Sequence, residues 1–208
     1  MSSDIITNDR TKTVMKKTVL LDIPPRLQWD HGNGFCGETS LQSIGLKYGA
    51  WISQKLIRDI NKGEYLLQPM SSNDRRNSLR TLAKLHFTYD EWDWKNSPQP
   101  QFHQFCLWMK RCILQRCPII FAIFLPGMDY EDYDHIVPAV GIQYQNEDEY
   151  DPDDKLIYYD LYAKKQIKKR LNNEEFGATR RTIDYKKNAG DGCLPIDVSF
   201  FILILYHH

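Results

Sequence analysis

Apolar residues recur at helical spacing through the first half of the chain, then gather into β-branched and aromatic runs in the second. Val19–Ile23 reads as a short strand that stops at Pro24-Pro25, and a Gly-rich turn, His31-Gly-Asn-Gly34, follows it. From Cys36 to Tyr48 the pattern is helical, with Leu41, Ile44 and Tyr48 on one stripe and Gly49 as the stop. Ser53 is placed to cap a second helix reaching Asn61, with Leu56, Ile57 and Ile60 turned inward. Asn73 opens a third, carrying Leu79, Leu82 and Leu85 on one face, and His86–Trp94 alternates aromatic and polar residues as a strand does. Gln99–Cys117 is amphipathic, with Phe102, Phe105, Met109, Cys112 and Ile113 on one side.

Beyond this point the character changes. Pro118–Leu125, His135–Tyr144, Leu156–Leu161 and Val198–Tyr206 are strand-like runs between acidic, Gly or Pro loops, with a weaker strand at Thr179–Tyr185. Helices followed by strands predict an α+β fold, N-terminal helices packed on a C-terminal antiparallel β-sheet. The length of 208 residues suits one domain, read as 18–208 behind a polar arm at 1–17.

Charge narrows the classes of partner. Lys+Arg and Asp+Glu are equal at 27 each, so no net field invites nucleic acid or an anionic membrane. The acidic runs at 129–134 and 147–154 and the basic run at 164–170 read as solvated loops or faces. The run 147–154 lacks the Gly and the spaced ligands of an EF-hand loop. No stretch reaches the ~18 apolar residues of a spanning helix. The N-terminal segment also lacks the apolar centre of a signal peptide, so a cytoplasmic location is the expectation, and a secreted effector is compatible with it. Five cysteines, an odd number without C-x-x-C spacing, argue against both a disulfide scaffold and a zinc site. Cys106, Cys112 and Cys117 fall on the helix predicted over 99–117, where a thiol is usually a small buried hydrophobe.

Cys36 has a different address. It follows a Gly-rich turn and begins a helix, where unpaired N–H groups and the helix dipole favour a thiolate. A nucleophilic cysteine needs a base, and His135 is the best placed of six histidines. It opens an apolar strand, and Asp129, Glu131, Asp132 and Asp134 just upstream are expected to favour its protonated form. Asp160 ends the next strand, where antiparallel pairing would bring a carboxylate beside His135 to fix its tautomer. Gln28 stands eight positions before Cys36, where its amide could join the Cys36 N–H in holding an oxyanion.

Taken together, Gln28, Asn33-Gly34-Phe35-Cys36-Gly37, His135-Ile-Val-Pro-Ala-Val-Gly141 and Ile157-Tyr-Tyr-Asp160 resemble the papain-like cysteine peptidase superfamily. The nearest flavour is the bacteriocin-leader-processing, double-glycine group, which shares Tyr48-Gly49 after the helix and Ile52-Ser53 beyond it. Glu38 departs from the Pro or small residue usual after Cys-Gly there, and the gap from Gln28 to Cys36 is longer than usual. The resemblance implies a papain-like fold and a cysteine hydrolase acting on a peptide or protein substrate through a Cys36 thioester, without a cofactor. Transglutamination, deamidation and acyl transfer use the same residues. An inactive binding module of the same fold, with Tyr89, Trp92 and Trp94 on its surface, is the alternative from another class.

Overall fold

A computed structural model describes residues 15–29, 34–63, 80–91, 102–125, 133–171 and 202–205. Its elements run β1 (Lys17–Leu20), α1 (Cys36–Lys47), α2 (Gln54–Ile60), α3 (residues 80–84), β2 (Thr88–Glu91) and α4 (Phe102–Leu114), then β3 (Ile119–Leu125), β4 (Tyr133–Tyr144), β5 (Lys155–Asp160), β6 (Lys165–Arg170) and β7 (Ile202–Leu205). The strands form one seven-stranded antiparallel sheet in the order β2-β7-β3-β4-β5-β6, with β1 added to β4. The α+β expectation holds at this level. β1 and β2 come from the first half, overlapping the strands read at 19–23 and 86–94, and both join the sheet built mainly from the second half.

β4 organises the sheet. β3 pairs with its residues 133–139, and β1 takes over the same edge at 141–144, where β3 has not yet begun. Every residue from His135 to Ile142 is buried, so both faces of β4 are covered. Helices α1 and α4 both lie against β3 and β4. The register with β5 shifts between Ala139 and Gly141, a bulge that follows Pro138, which cannot donate to a ladder. Gly141 is required here: a Cβ on it would sit 2.5 Å from the Val19 carbonyl oxygen of β1.

The four helices end in the same way. Each places a residue in the left-handed region, at Gly49, Lys62, His86 and Arg116, and α2 adds a second at Gly63. The N–H of the first returns to the carbonyl three residues back (Leu46, Asp59, Ala83, Ile113), while the next N–H reaches five back (Gly45, Arg58, Leu82, Cys112). This is the Schellman arrangement, and glycine is favoured at its left-handed position. The sequence carries a glycine there or next to it only at Gly49 and Gly63. Hence α4 stops at Leu114 rather than at 117 and leaves Cys117 outside the helix, and His86 ends α3 instead of opening a strand.

Other boundaries also move. β1 starts at Lys17, inside the segment read as a polar arm, and stops at Leu20, although Leu21 and Ile23 are buried beyond it. The basic run 164–170 contains a strand, β6, at one end of the strand order; its Lys165, Lys168, Lys169 and Arg170 suit an edge by discouraging further pairing. In α2, Ser53 caps as expected, its Oγ accepting the Leu56 N–H at 3.0 Å. Its inward face is different: Leu56 is exposed, Ile60 is half-buried, and Gln54 and Arg58 are buried beside Ile57. Asn73, Leu79, Trp92, Trp94, Gln99, the 179–185 segment and Cys193 lie outside the described residues.

A buried ion pair ties the second half together. Lys110 of α4 reaches Asp154 in the β4–β5 connection, both side chains being almost wholly enclosed. The ammonium also donates to the carbonyls of Asn146 and Glu149, at 2.8 and 2.6 Å. The acidic 147–154 loop is thus held on a buried lysine. Among the described residues, no group of three or more His, Cys, Asp or Glu could hold a metal ion, and no helix is long and apolar enough to cross a membrane.

Candidate active site

Cys36 is the first residue of α1 and is buried, with 3% of its surface exposed. Its helix has no side-chain cap, so the first-turn N–H groups are left to the thiol and the backbone around it. The Ser40 hydroxyl fastens this turn to the sheet: it lies 2.8 Å from the Cys36 carbonyl oxygen and 3.1 Å from that of Ile136. The Ile136 backbone in turn hydrogen-bonds the sulfur. Cys36 is therefore seated against the residue that follows His135 in β4.

His135 is the third residue of β4, not its first, and is 3% exposed. Ala139 faces Tyr158 across the β4–β5 ladder. Four residues back on one strand and four on along the other are His135 and Tyr162, whose rings stack 4.9 Å apart and 11° from parallel. Asp160, the last residue of β5, lies close enough for its charge to act on the imidazole. Asp160 Oδ1 also accepts the Tyr162 N–H at 2.8 Å, which holds the turn carrying the stacked ring. Gln28 is buried, and its N–H donates to the Leu161 carbonyl at 2.9 Å, one residue beyond Asp160. The four residues singled out in the sequence are thus linked, in part through their neighbours: Cys36 to Ile136 beside His135, His135 to Asp160 by charge, and Gln28 to Leu161 beside Asp160.

The electrostatics differ from the sequence expectation. Burial pushes the Cys36 thiol up to about 11, helped by the charge of Glu38 and opposed by hydrogen bonds from the Ile136, Gly37 and Cys36 backbone. Burial likewise pulls His135 down to about 4, with Asp160 acting in the opposite direction. At neutral pH the pair rests as thiol and neutral imidazole, not as thiolate and imidazolium. The helix terminus does favour the thiolate, but losing water costs more. Of the upstream acids, Asp129, Glu131 and Asp132 lie outside the described residues.

Helix α2 adds two residues that the apolar pattern did not reveal. The Gln54 amide accepts the Trp29 N–H at 2.8 Å and donates to the Leu27 carbonyl at 2.8 Å and to Gln42 Oε1 at 3.0 Å. One turn on, Arg58 Nε donates to Glu38 at 2.6 Å, its Nη2 donates to the Gly34 carbonyl at 2.9 Å, and its guanidinium lies 4.0 Å from the centre of the Phe35 ring. Phe35 meets Trp29 edge-on at 5.3 Å. The available signal was polar residues at helical spacing (54, 58 and 61) beside a lone Ile57, an inward face that only a partnered polar network makes affordable.

Trp29 is 63% exposed and Leu27 is 42% exposed, so apolar surface flanks Gln28. Trp29, Gln42, Ser53, Gln54 and Lys55 line an open cleft of about 260 Å³ alongside it. A scan against protein-family models finds none that matches the chain, and a search of curated proteins returns no significant match.

Proposed function

We propose that this chain is a papain-like cysteine hydrolase that cleaves an amide or peptide bond through a Cys36 thioester. The seating of Cys36 on the Ile136 backbone, next to His135, carries the reading, and the links of Asp160 to His135 and of Gln28 to Leu161 support it. The sulfur bonds to the substrate carbonyl carbon as the thiol proton passes to the neutral His135 imidazole. Gln28 and the Cys36 N–H receive the oxyanion. His135 returns the proton to the leaving amine, and water, activated by the same ring, hydrolyses the thioester and restores the thiol. Asp160 stabilises the imidazolium that exists only during transfer. Starting from a neutral pair suits a buried site, because charge is created only when substrate has covered it. The exposed Leu27 and Trp29 beside Gln28 suit a peptide side chain. Transglutamination, deamidation and acyl transfer differ only in which group resolves the thioester.

Incubation with a mixed peptide library, read by mass spectrometry against Cys36→Ala, tests the reading. New termini or deamidated residues that need Cys36 support it. A wild-type digest identical to the Cys36→Ala digest would sink it. One observation favours a second reading, an inactive binding module: both candidate groups are buried, and burial holds Cys36 away from the thiolate and makes the neutral His135 a weaker base. Wild-type protein that no thiol reagent labels at Cys36 while folded would favour that reading.

A further inference from the structure

Gln28 and Cys36 are separated by a segment that includes residues 30–33, outside the described residues, yet each side of that gap is fixed to the same short helix. Gln54 holds Leu27 and Trp29, the two neighbours of Gln28, by one accepted and one donated hydrogen bond. Arg58, one turn further along α2, holds the Gly34 carbonyl and the Phe35 ring, and it pairs with Glu38 in the first turn of α1. Neither side chain is exposed, and their amide and guanidinium groups point at the two loops. A buried glutamine satisfied by three partners has a defined position, and it transmits that position to what it holds.

We propose that Gln54 and Arg58 are positioning residues: α2 works as a bracket that sets the distance between the Gln28 amide and the Cys36 sulfur, and so the oxyanion site. This rests on the reading of Cys36 as nucleophile and Gln28 as oxyanion donor. It gives the two sides of the long interval between those residues a common support in α2.

Two reagents separate positioning from nucleophilicity. Acetylation of Cys36 by p-nitrophenyl acetate passes through an oxyanion as p-nitrophenolate leaves, whereas alkylation by iodoacetamide displaces iodide and forms none. Gln54→Met keeps the side-chain volume and removes the clamp. It should lower the acetylation rate by about 10- to 100-fold, the cost of a misplaced donor, while alkylation is unchanged. Gln28→Ala should do the same, and the double variant should lose no more than either single one. Arg58→Lys, which keeps a cation for Glu38 but not the fork to Gly34, should also depress acetylation alone. Hydrogen exchange at the Trp29 amide should quicken in Gln54→Met, independently of any reaction. Additive losses in the double variant, equal losses with both reagents, or an unchanged Trp29 amide would overturn the proposal. Wild-type Cys36 that is alkylated but never acetylated would overturn the hydrolase reading and the bracket with it.

Discussion

Replacing Arg58 by Met strips the guanidinium from Glu38, a carboxylate with no exposed surface. Two costs follow. The first is the lost hydrogen bond to the Gly34 carbonyl and the cation–ring contact with Phe35, together about 1–2 kcal/mol. The second is electrostatic: Glu38 stays buried and loses the Arg58 charge that offsets its desolvation. Together these put the loss at about 3–5 kcal/mol, the range expected when one partner of a buried pair is removed. Urea unfolding of wild type and Arg58→Met measures the difference. The paired variant Glu38→Met with Arg58→Met should recover much of the loss, because neither charge is then left buried. A destabilisation below about 1 kcal/mol, or a double variant no more stable than Arg58→Met, would refute the account of a buried Glu38–Arg58 pair.

Three further outcomes follow from the same geometry. His135 is depressed to about 4 from 6.5, so the unfolded chain binds the extra proton between these values, and stability should fall as pH drops through that window, by up to about 3 kcal/mol; urea titrations should show wild type losing that much relative to His135→Gln between about pH 6.5 and about pH 4, and an unchanged difference would refute the shift. Gly141→Ala drives a methyl against the Val19 carbonyl, and should cost about 1–3 kcal/mol while selectively raising hydrogen exchange in β1; unchanged exchange at residues 17–20 would show that β1 is not docked there. Lys110→Met leaves Asp154 buried without its ammonium and frees the carbonyls of Asn146 and Glu149, for a loss of about 3–5 kcal/mol by denaturant unfolding; a loss under about 1 kcal/mol would place that pair at the surface.

Much of the site was legible because its members lie at the ends of strongly patterned elements. The apolar stripe of α1 places Cys36 at a helix start, and the aliphatic runs of β4 and β5 place His135 and Asp160 on neighbouring strands. The ends of α1 and α2 were legible at Gly49 and Asn61, but those of α3 and α4 were not: His86 and Arg116 take the left-handed position without a glycine's signature, at a cost of about 1 kcal/mol. β6 was hidden by its composition, since an edge strand carries lysines for the reason that makes it look like a loop. Gln54 and Arg58 were hidden by chemistry: polarity marks a residue as exposed unless its partners are known, and those partners lie 12 to 27 residues away along the chain, beyond the reach of a local pattern. The ionisation states were least legible, because a sequence shows the helix terminus that favours a thiolate but not the loss of water that opposes it.

The central claim is that Cys36 attacks from a neutral pair with His135 as its base. The most direct test is the rate of Cys36 acetylation by p-nitrophenyl acetate between about pH 5 and about pH 9, in wild type and His135→Ala, with the acetyl group located by peptide mass. The account predicts an adduct on Cys36 that needs His135 and still forms near pH 5, since the ring stays unprotonated down to about 4. Acetylation that appears only at alkaline pH, at the same rate with and without His135, would contradict it.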